Sequence, residues 1–104
     1  MTSRIPNKQA STFAAERKPF IGSNLTGIEK NGMYIVYSYG EHFPAFIYAE
    51  GAWFENEDDY SASTKRHMSQ ARPTTRTIPL STRWMCLLAQ GGYNAIAKER
   101  ILHA

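Results

Sequence analysis

Two stretches of the chain, MYIVYSY at Met33–Tyr39 and FPAFIYA at Phe43–Ala49, decide its fold. Both are rich in β-branched and aromatic residues, which are typical of β-strands. The three residues between them, Gly40 to His42, are short enough to form a hairpin turn. Pro44 has no backbone N–H, so we expect it at the start of its strand or on an edge. These stretches predict an antiparallel β-hairpin.

The sequence on either side extends this hairpin. Glu50-Gly51 predicts a second turn, which leads into a short strand at Ala52–Glu55. Asn31-Gly32 is a strong turn signal before the first strand, and Leu25–Glu29 is a candidate strand before that turn. We therefore predict a three- to four-stranded antiparallel meander.

Neither face of the hairpin is clearly polar. The first strand carries Met33, Ile35 and Tyr37 on one face and Tyr34 and Val36 on the other. A sheet with one face in water alternates apolar with polar residues, so we expect both faces to be covered. The C-terminal helices are predicted to cover one face, and either the N-terminal arm or a partner the other.

The C-terminal half contains helix signals. We predict helices from Ser61 to about Ala71, from Ser81 to Gly91 and, shorter, from Asn94 onward. Pro73 ends the first of them, and Thr74–Pro79 is predicted to be a linker. The predicted fold class is α+β: a small three- to four-stranded antiparallel sheet followed by two or three C-terminal helices packed on it.

The length of 104 residues fits one domain. We divide it into an N-terminal arm, residues 1–22, and a single α+β domain, residues 23–104. The arm has a short helical stretch around Gln9–Glu16, and Phe13 or Phe20 is expected to anchor it by burying aromatic surface. No run of apolar residues has the length of a membrane helix. The single cysteine, Cys86, favours a reducing compartment, so we predict a cytoplasmic protein.

Charge is divided unevenly along the chain. Up to Lys18, four basic residues face one acidic residue; from 19 to 60, seven acidic residues face only Lys30; from 61 onward, seven basic residues face only Glu99. Such a chain either pairs its segments internally or presents faces of opposite sign. A sheet inside the acidic segment repels a nucleic-acid backbone, so nucleic acid is expected to meet the helices and the arm instead.

The sequence does not predict an active site or a metal site, and no cofactor is expected. The three histidines are not at metal-ligand spacing, and a single cysteine supplies no thiolate cluster. Cys86 has apolar neighbours and is interpreted as a core residue. An enzyme centred on His67, with Arg66 as a clamp for an oxyanion or phosphate, is an alternative that lacks a paired carboxylate at a defined spacing.

The segment Tyr60–His67 holds hydroxyls, a histidine and two cations. Hydroxyls near a helix start, followed by cations, suit phosphates or an acidic protein face. One alternative function is therefore a small basic nucleic-acid-binding protein that uses Lys65, Arg66, Arg72 and Arg76. A purely structural interpretation is that the hydroxyls cap the helix while the cations balance the preceding acidic turn, Asn56–Asp59.

Several motifs occur together in this chain. ERKPF (16–20), GSNL (22–25), YIVYSYG (34–40) and HFP (42–44) precede Trp53 and Asn56, and YS (60–61), ST (63–64) and RH (66–67) precede Gln70. In combination they resemble a group of small, uncharacterised proteins of bacteriophages and large plasmids. The resemblance covers roughly residues 16–73 and assigns no activity. It implies a mobile-element setting, in which small proteins act by stoichiometric binding, including inhibition of host defence such as CRISPR effectors.

Our leading hypothesis is a non-enzymatic binding protein of phage or plasmid origin, an anti-CRISPR-like inhibitor in the bacterial cytoplasm. It would use sheet aromatics or the acidic turn against a basic, nucleic-acid-binding surface of a host protein or ribonucleoprotein complex. The predicted partner-binding residues are Trp53, Glu57, Asp58, Asp59, Tyr60, Arg66 and His67. A homodimer formed through an uncovered sheet face is compatible with each of these functions.

Overall fold

The computed structural model describes residues 2–38, 43–58, 68, 70–73 and 75–91. Its elements are, in chain order, β1 (Ser3–Arg4), a 3-10 turn (Asn7–Gln9), α1 (Ala10–Ala15), β2 (Phe20–Ile21), β3 (Leu25–Lys30), β4 (Met33–Ser38), β5 (Pro44–Ala49), β6 (Ala52–Asn56), β7 (Thr77–Leu80) and α2 (Thr82–Gly91). Met68, Gln70 and Ala71 are also helical. None of the helices in these ranges is long and apolar enough to cross a membrane.

The strands form one seven-stranded sheet in which neighbours in the chain are neighbours in space. The pairs from β2 to β6 are antiparallel, whereas β1–β2 and β6–β7 are parallel. In the centre, Ile35 of β4 lies between Ile28 of β3 and Ile47 of β5. The prediction of a small three- to four-stranded antiparallel sheet is therefore wrong, because the sheet is larger and mixed.

The additional strands lie where the sequence carries weak strand signals. β1 and β2 are two residues each, too short for an alternating pattern to show. β7 occupies the segment that we predicted to be a linker, and it contains Pro79, which argues against a strand interior. Because β7 is parallel to β6, residues 57–76 connect the two strands as a crossover, and a hairpin turn cannot join them.

The helical part of the fold also differs from the prediction. In the described ranges, the C-terminal helix packed on the sheet is α2, a single short helix, and a second small helix, α1, precedes the sheet. The strand-rich fold replaces the expected sheet followed by two or three C-terminal helices. The helix predicted from Ser61 lies mostly outside the described residues, although Gln70 and Ala71 are helical near its expected end. The helix predicted from Asn94 lies wholly outside them.

The central strands and the turns at Asn31-Gly32 and Glu50-Gly51 confirm the prediction for this part of the chain. The turn predicted at Gly40–His42 lies outside the described residues. β5 begins at Pro44, as its missing N–H requires. Asn31 and Gly32 have φ values of 54° and 77°, and Glu50 and Gly51 have values of 51° and 76°. Positive φ at both central residues is the geometry of the hairpin turns that match the twist of the strands. These two tight turns fix the register of β3 against β4 and of β5 against β6.

One side of the sheet, which we call the arm face, packs against the N-terminal segment. Its buried cluster consists of Ala10, Ala14, Phe20, Leu25, Tyr34, Val36, Phe43, Ala45, Phe46, Trp53, Met68 and Ala71. Ala10 and Ala14 belong to α1, so this helix lies directly on the sheet. Burying a side chain such as Phe20 stabilises the fold by roughly 1.5–3 kcal/mol. Phe20, which has no exposed surface, is thus an anchor of the arm, as predicted.

The opposite side, which we call the helix face, packs against α2. Its buried cluster consists of Met33, Ile35, Tyr37, Ile47, Ala49, Phe54, Leu80, Met85, Leu88 and Ala89. Both faces of the sheet are therefore covered, which confirms the inference drawn from the apolar alternation. Of the two candidates for the second cover, the arm supplies it. The hypothesis of a homodimer through an uncovered sheet face loses the observation that motivated it and stays a prediction.

Candidate functional sites

The acidic turn after β6 is organised by a buried amide, Asn56. This side chain is 2% exposed. Its Nδ2 donates to the carbonyl oxygen of Pro44 and to Oγ1 of Thr82, at 3.1 Å in each case. Its Oδ1 accepts from the backbone N–H of Asp58 at 2.9 Å. One side chain thus connects β5, the acidic turn and the start of α2.

The two described carboxylates of this turn, Glu57 and Asp58, are exposed. The backbone N–H of Glu57 donates to the carbonyl oxygen of Leu80 at 2.8 Å. Oδ2 of Asp58 accepts from the backbone N–H of Thr82 at 2.7 Å and so caps the N-terminus of α2. Hydrogen bonds from the hydroxyl and the backbone of Thr82 hold the pKa of Asp58 below its usual range. The turn thus caps α2, which β7 brings alongside.

Asp58 gives the stability of the protein a pH dependence of defined sign. Because its folded pKa is lowered, Asp58 contributes stability above its unfolded pKa of about 3.9 that is lost as pH falls through the folded value. We expect D58N to be less stable than wild type at pH 7, and the difference in the free energy of unfolding to shrink between about pH 4 and pH 2. Urea unfolding of both proteins between these pH values measures the difference. A difference that stays constant, or grows in acid, would contradict the assigned role.

Loss of the Asn56 side chain is expected to destabilise the protein by about 2 kcal/mol, because Asn56→Ala leaves buried partners without their hydrogen bonds. The measurement is the free energy of unfolding from urea titration. Asn24→Ala is the matched control, because Asn24 is exposed. Its effect is expected to stay within about 0.5 kcal/mol. Equal effects of the two substitutions would show that the buried amide does not organise the turn.

The structure places the other described binding candidates in different surroundings. Trp53 is 5% exposed and lies in the arm-face core, with its ring centroid 6.1 Å from that of Tyr34 and 5.3 Å from that of Tyr48. Both contacts are edge-to-face, the arrangement that aromatic pairs prefer. Trp53 lies near the start of β6, and the acidic turn follows the end of that strand. The structure therefore does not bring Trp53 together with Glu57 and Asp58.

Arg72, a candidate for nucleic-acid binding, already has partners. Its guanidinium forms an ion pair with Glu55 and lies 5.6 Å from the ring centroid of Phe46. Oγ1 of Thr77 donates to the same carboxylate of Glu55 at 2.7 Å. Arg76 is exposed. The acidic and basic segments are thus paired within the chain at this point, which is one of the two alternatives that the charge distribution left open.

Five of the predicted site residues lie outside the described ranges. They are Asp59, Tyr60, Lys65, Arg66 and His67. Their roles, including the alternative of an enzyme centred on His67, stay predictions. Among the residues that the structure does describe, no group of three His, Cys, Asp or Glu side chains is placed to hold a metal ion.

A cavity of about 420 Å³ lies where the C-terminal end of α1 meets the turn between β3 and β4. It is lined by Arg17, Glu29, Lys30, Asn31, Gly32, Met33, Tyr34 and Tyr48. This volume is within the usual range for small-molecule sites. Sequence reasoning missed it, since Arg17 and Tyr48 are far apart in the chain and nothing in the sequence indicates that they meet.

Tyr34, which lines the cavity, is hydrogen-bonded to the backbone just after the C-terminal end of α1. Its hydroxyl donates to the carbonyl oxygen of Lys18 at 2.8 Å. The side chain is 3% exposed, and burial raises the pKa of Tyr34, so the phenol stays neutral at physiological pH. Tyr34 thus acts as a fixed hydrogen-bond donor that holds the residues after α1 against β4.

The described residues define a small, strand-rich protein: one mixed sheet with α1 on one face and α2 on the other, an acidic turn held at Asn56 and Asp58 at one end, and a cavity at the other. The chain belongs to DUF8033, a family of unknown function, whose model matches residues 8–85. No curated protein and no solved structure matches the chain. The family assigns no activity, so the function has to be argued from the protein itself.

Proposed function

We propose that this chain is a non-enzymatic binding protein of phage or plasmid origin that inhibits a host defence complex in an anti-CRISPR-like manner. Its acidic turn binds a basic, nucleic-acid-binding surface of that complex. The observation that carries this proposal is the order of the described part of the turn: the buried Asn56 accepts a hydrogen bond from the backbone of Asp58, and the side chains of Glu57 and Asp58 are exposed. The phage setting comes from the sequence resemblance alone.

An ordered acidic turn is suited to protein binding for an energetic reason. Association costs free energy whenever flexible side chains and loops must be fixed, and a turn that is already held in place avoids part of that cost. Asn56 donates two hydrogen bonds and accepts one, and the backbone N–H of Thr82 donates a fourth, so Asn56 and Asp58 are held in place before any partner arrives. Clustered carboxylates facing basic groups also raise the rate of association and discriminate against acidic partners.

The kind of partner follows from the charge of the turn. Surfaces that bind nucleic acid are rich in lysine and arginine, because phosphate contacts supply much of their affinity. A run of carboxylates competes for the same cations. Inhibition then needs only occupancy of that surface, and no catalytic group is required.

The test is protection of a phage from a defence system. Cells with an active CRISPR effector are challenged with a targeted phage, with and without this chain, and the efficiency of plaquing is measured. We expect the chain to raise plaquing and the double variant Glu57→Lys, Asp59→Lys to lose that effect. Glu16→Lys makes the same kind of charge reversal in an exposed surface pair with Lys18 and is the control.

Failure of the wild-type chain to change plaquing in hosts that carry different defence systems would overturn the proposal. So would equal protection by the wild type and the double variant. Binding to DNA or RNA is measured in parallel with the purified chain. A log–log salt slope of about −0.9 per phosphate contact would support the nucleic-acid alternative through Lys65, Arg66, Arg72 and Arg76 instead.

A further inference from the structure

The backbone at Arg17 is in a conformation that favours glycine. Arg17 has φ 54°. Its N–H donates to the carbonyl oxygen of Ala14 at 3.0 Å, and the N–H of Lys18 donates to that of Phe13 at 2.9 Å. This pair of bonds closes the end of α1 as a Schellman motif, whose left-handed position is usually glycine. The helix end by itself therefore does not require arginine, and strained residues of this kind cluster at functional sites.

The side chain of Arg17 stacks on the ring of Tyr48, one of the residues that line the cavity. Its guanidinium carbon is 4.4 Å from the ring centroid of Tyr48, close enough for a cation–π contact. Within the described ranges, its only hydrogen bond is a long one of 3.5 Å, to the carbonyl oxygen of Ala15. Stacking uses the flat face of a guanidinium, so its N–H edges stay able to donate to an oxyanion in two-point fashion.

The cavity also holds charges of both signs that are not paired with one another. The ion pairs among the described residues are Lys18–Glu16 and Arg72–Glu55. Arg17 and Glu29 line the same cavity and take part in neither pair. Lys30 also lines it, but its position opposite Met33 places its side chain on the helix face. The guanidinium of Arg17 suits an oxyanion, and the carboxylate of Glu29 suits an ammonium group. Asn31 is anchored behind them, because its Nδ2 donates to the carbonyl oxygens of Ala89 and Gln90 at the end of α2.

We infer that this cavity binds a small zwitterionic ligand, whose carboxylate or phosphate group is held by Arg17 and whose ammonium group is held by Glu29. The site is separate from the acidic turn. β4 starts at the cavity, and β6, which runs in the same direction two strands away, ends at the acidic turn, so the two lie at opposite ends of the sheet. The inference therefore does not depend on the proposed function.

The experiment is a titration of the full chain followed through the amide resonances of Asn31, Gly32 and Tyr48. The probes are O-phosphoethanolamine and β-alanine, which separate the phosphate from the carboxylate form of the ligand. Inorganic phosphate and ethanolamine each carry only one of the two charges. We expect at least one zwitterion to shift these resonances and to bind more tightly than both single-charge probes.

Variants of Arg17 give the decisive comparison. Arg17→Lys keeps the charge but loses the two-point contact, so binding is expected to weaken about tenfold. Arg17→Gly suits the left-handed backbone and is expected to keep the wild-type spectrum away from the cavity while losing the ligand. Arg83→Lys, at an exposed arginine of α2, is the control and is expected to bind as wild type does.

Three results would overturn the inference. The first is the absence of resonance shifts with both zwitterions. The second is wild-type affinity in Arg17→Gly. The third is equally tight binding of inorganic phosphate or ethanolamine alone, which would remove the role of the opposite charge.

Discussion

Valine in place of Gly27 is expected to destabilise the protein by about 3 kcal/mol, since it adds side-chain atoms to a filled part of the core. Gly27 lies in the middle of β3, opposite Val36. A Cβ atom there would meet the hydroxyl of Tyr34 and come within 2.5 Å of a ring carbon of Phe20. Phe20 has no exposed surface and Tyr34 is hydrogen-bonded, so neither moves away without loss. The absence of a side chain at Gly27 is what lets the arm approach the sheet.

Urea unfolding, followed by circular dichroism, measures this effect. Thr26→Val is the matched control, because Thr26 is the preceding residue of β3 and valine fits a strand. Its effect is expected to stay within about 0.5 kcal/mol. A double variant tests the cause: Tyr34→Phe removes the hydroxyl, so Gly27→Ala should cost less in that background than in wild type. A tolerated Gly27→Val would show that the packing between β2 and β3 is looser than these distances indicate.

The central strands could be predicted because several local signals agree there. β4 and β5 combine strand-forming residues with turns at Asn31-Gly32 and Glu50-Gly51, and each signal is contained in a few consecutive residues. α2 has the same advantage, since Ser81 precedes it and Gly91 ends it. The alternation along β4 even showed that both faces are covered. Such features depend on neighbours in sequence, so they can be read without the fold.

The outer strands could not be predicted, because their stability comes from pairing with distant residues. β1 is exposed and has two residues, and it exists as a strand through its pairing with β2. β7 contains Pro79 and exposed Ile78, a pattern that resembles a linker more than a strand. Its position beside β6 is supported by contacts such as the one between Thr77 and Glu55. Tertiary context of this kind overrides local propensity.

Of the two candidate sites, the acidic turn could be predicted in part from the sequence, and the cavity could not. The acidic turn is visible in the sequence as a run of carboxylates, but its hydrogen bonds to Thr82 depend on the crossover that brings α2 beside β6. The cavity has no sequence signal, because Arg17 occupies a position where glycine is the usual mark of a helix end. Only the backbone conformation at Arg17 and the nearness of Tyr48 reveal it.

Aspartate in place of Ala14 is expected to destabilise the protein by about 4 kcal/mol, because it places a charge without a partner in the core. Ala14 belongs to α1 and has no exposed surface, since it packs on the arm face of the sheet. A longer, charged side chain must either lose its water or lift α1 from the sheet. Lifting α1 would expose the apolar cluster that includes Phe20 and Leu25. The variant therefore tests whether the arm is an integral part of the fold.

Ala15→Asp supplies the control, because Ala15 is the next residue of the same helix and is exposed. Both variants have the lower helix propensity of aspartate and an unfavourable negative charge near a helix C-terminus. Together these two effects lower the free energy of unfolding by about 1 kcal/mol. The difference between the two variants in urea unfolding isolates burial. The difference in the free energy of unfolding between the two variants should become smaller near pH 3, because protonation removes the charge of the buried carboxyl. Equal effects at pH 7 would mean that α1 does not pack on the sheet in solution.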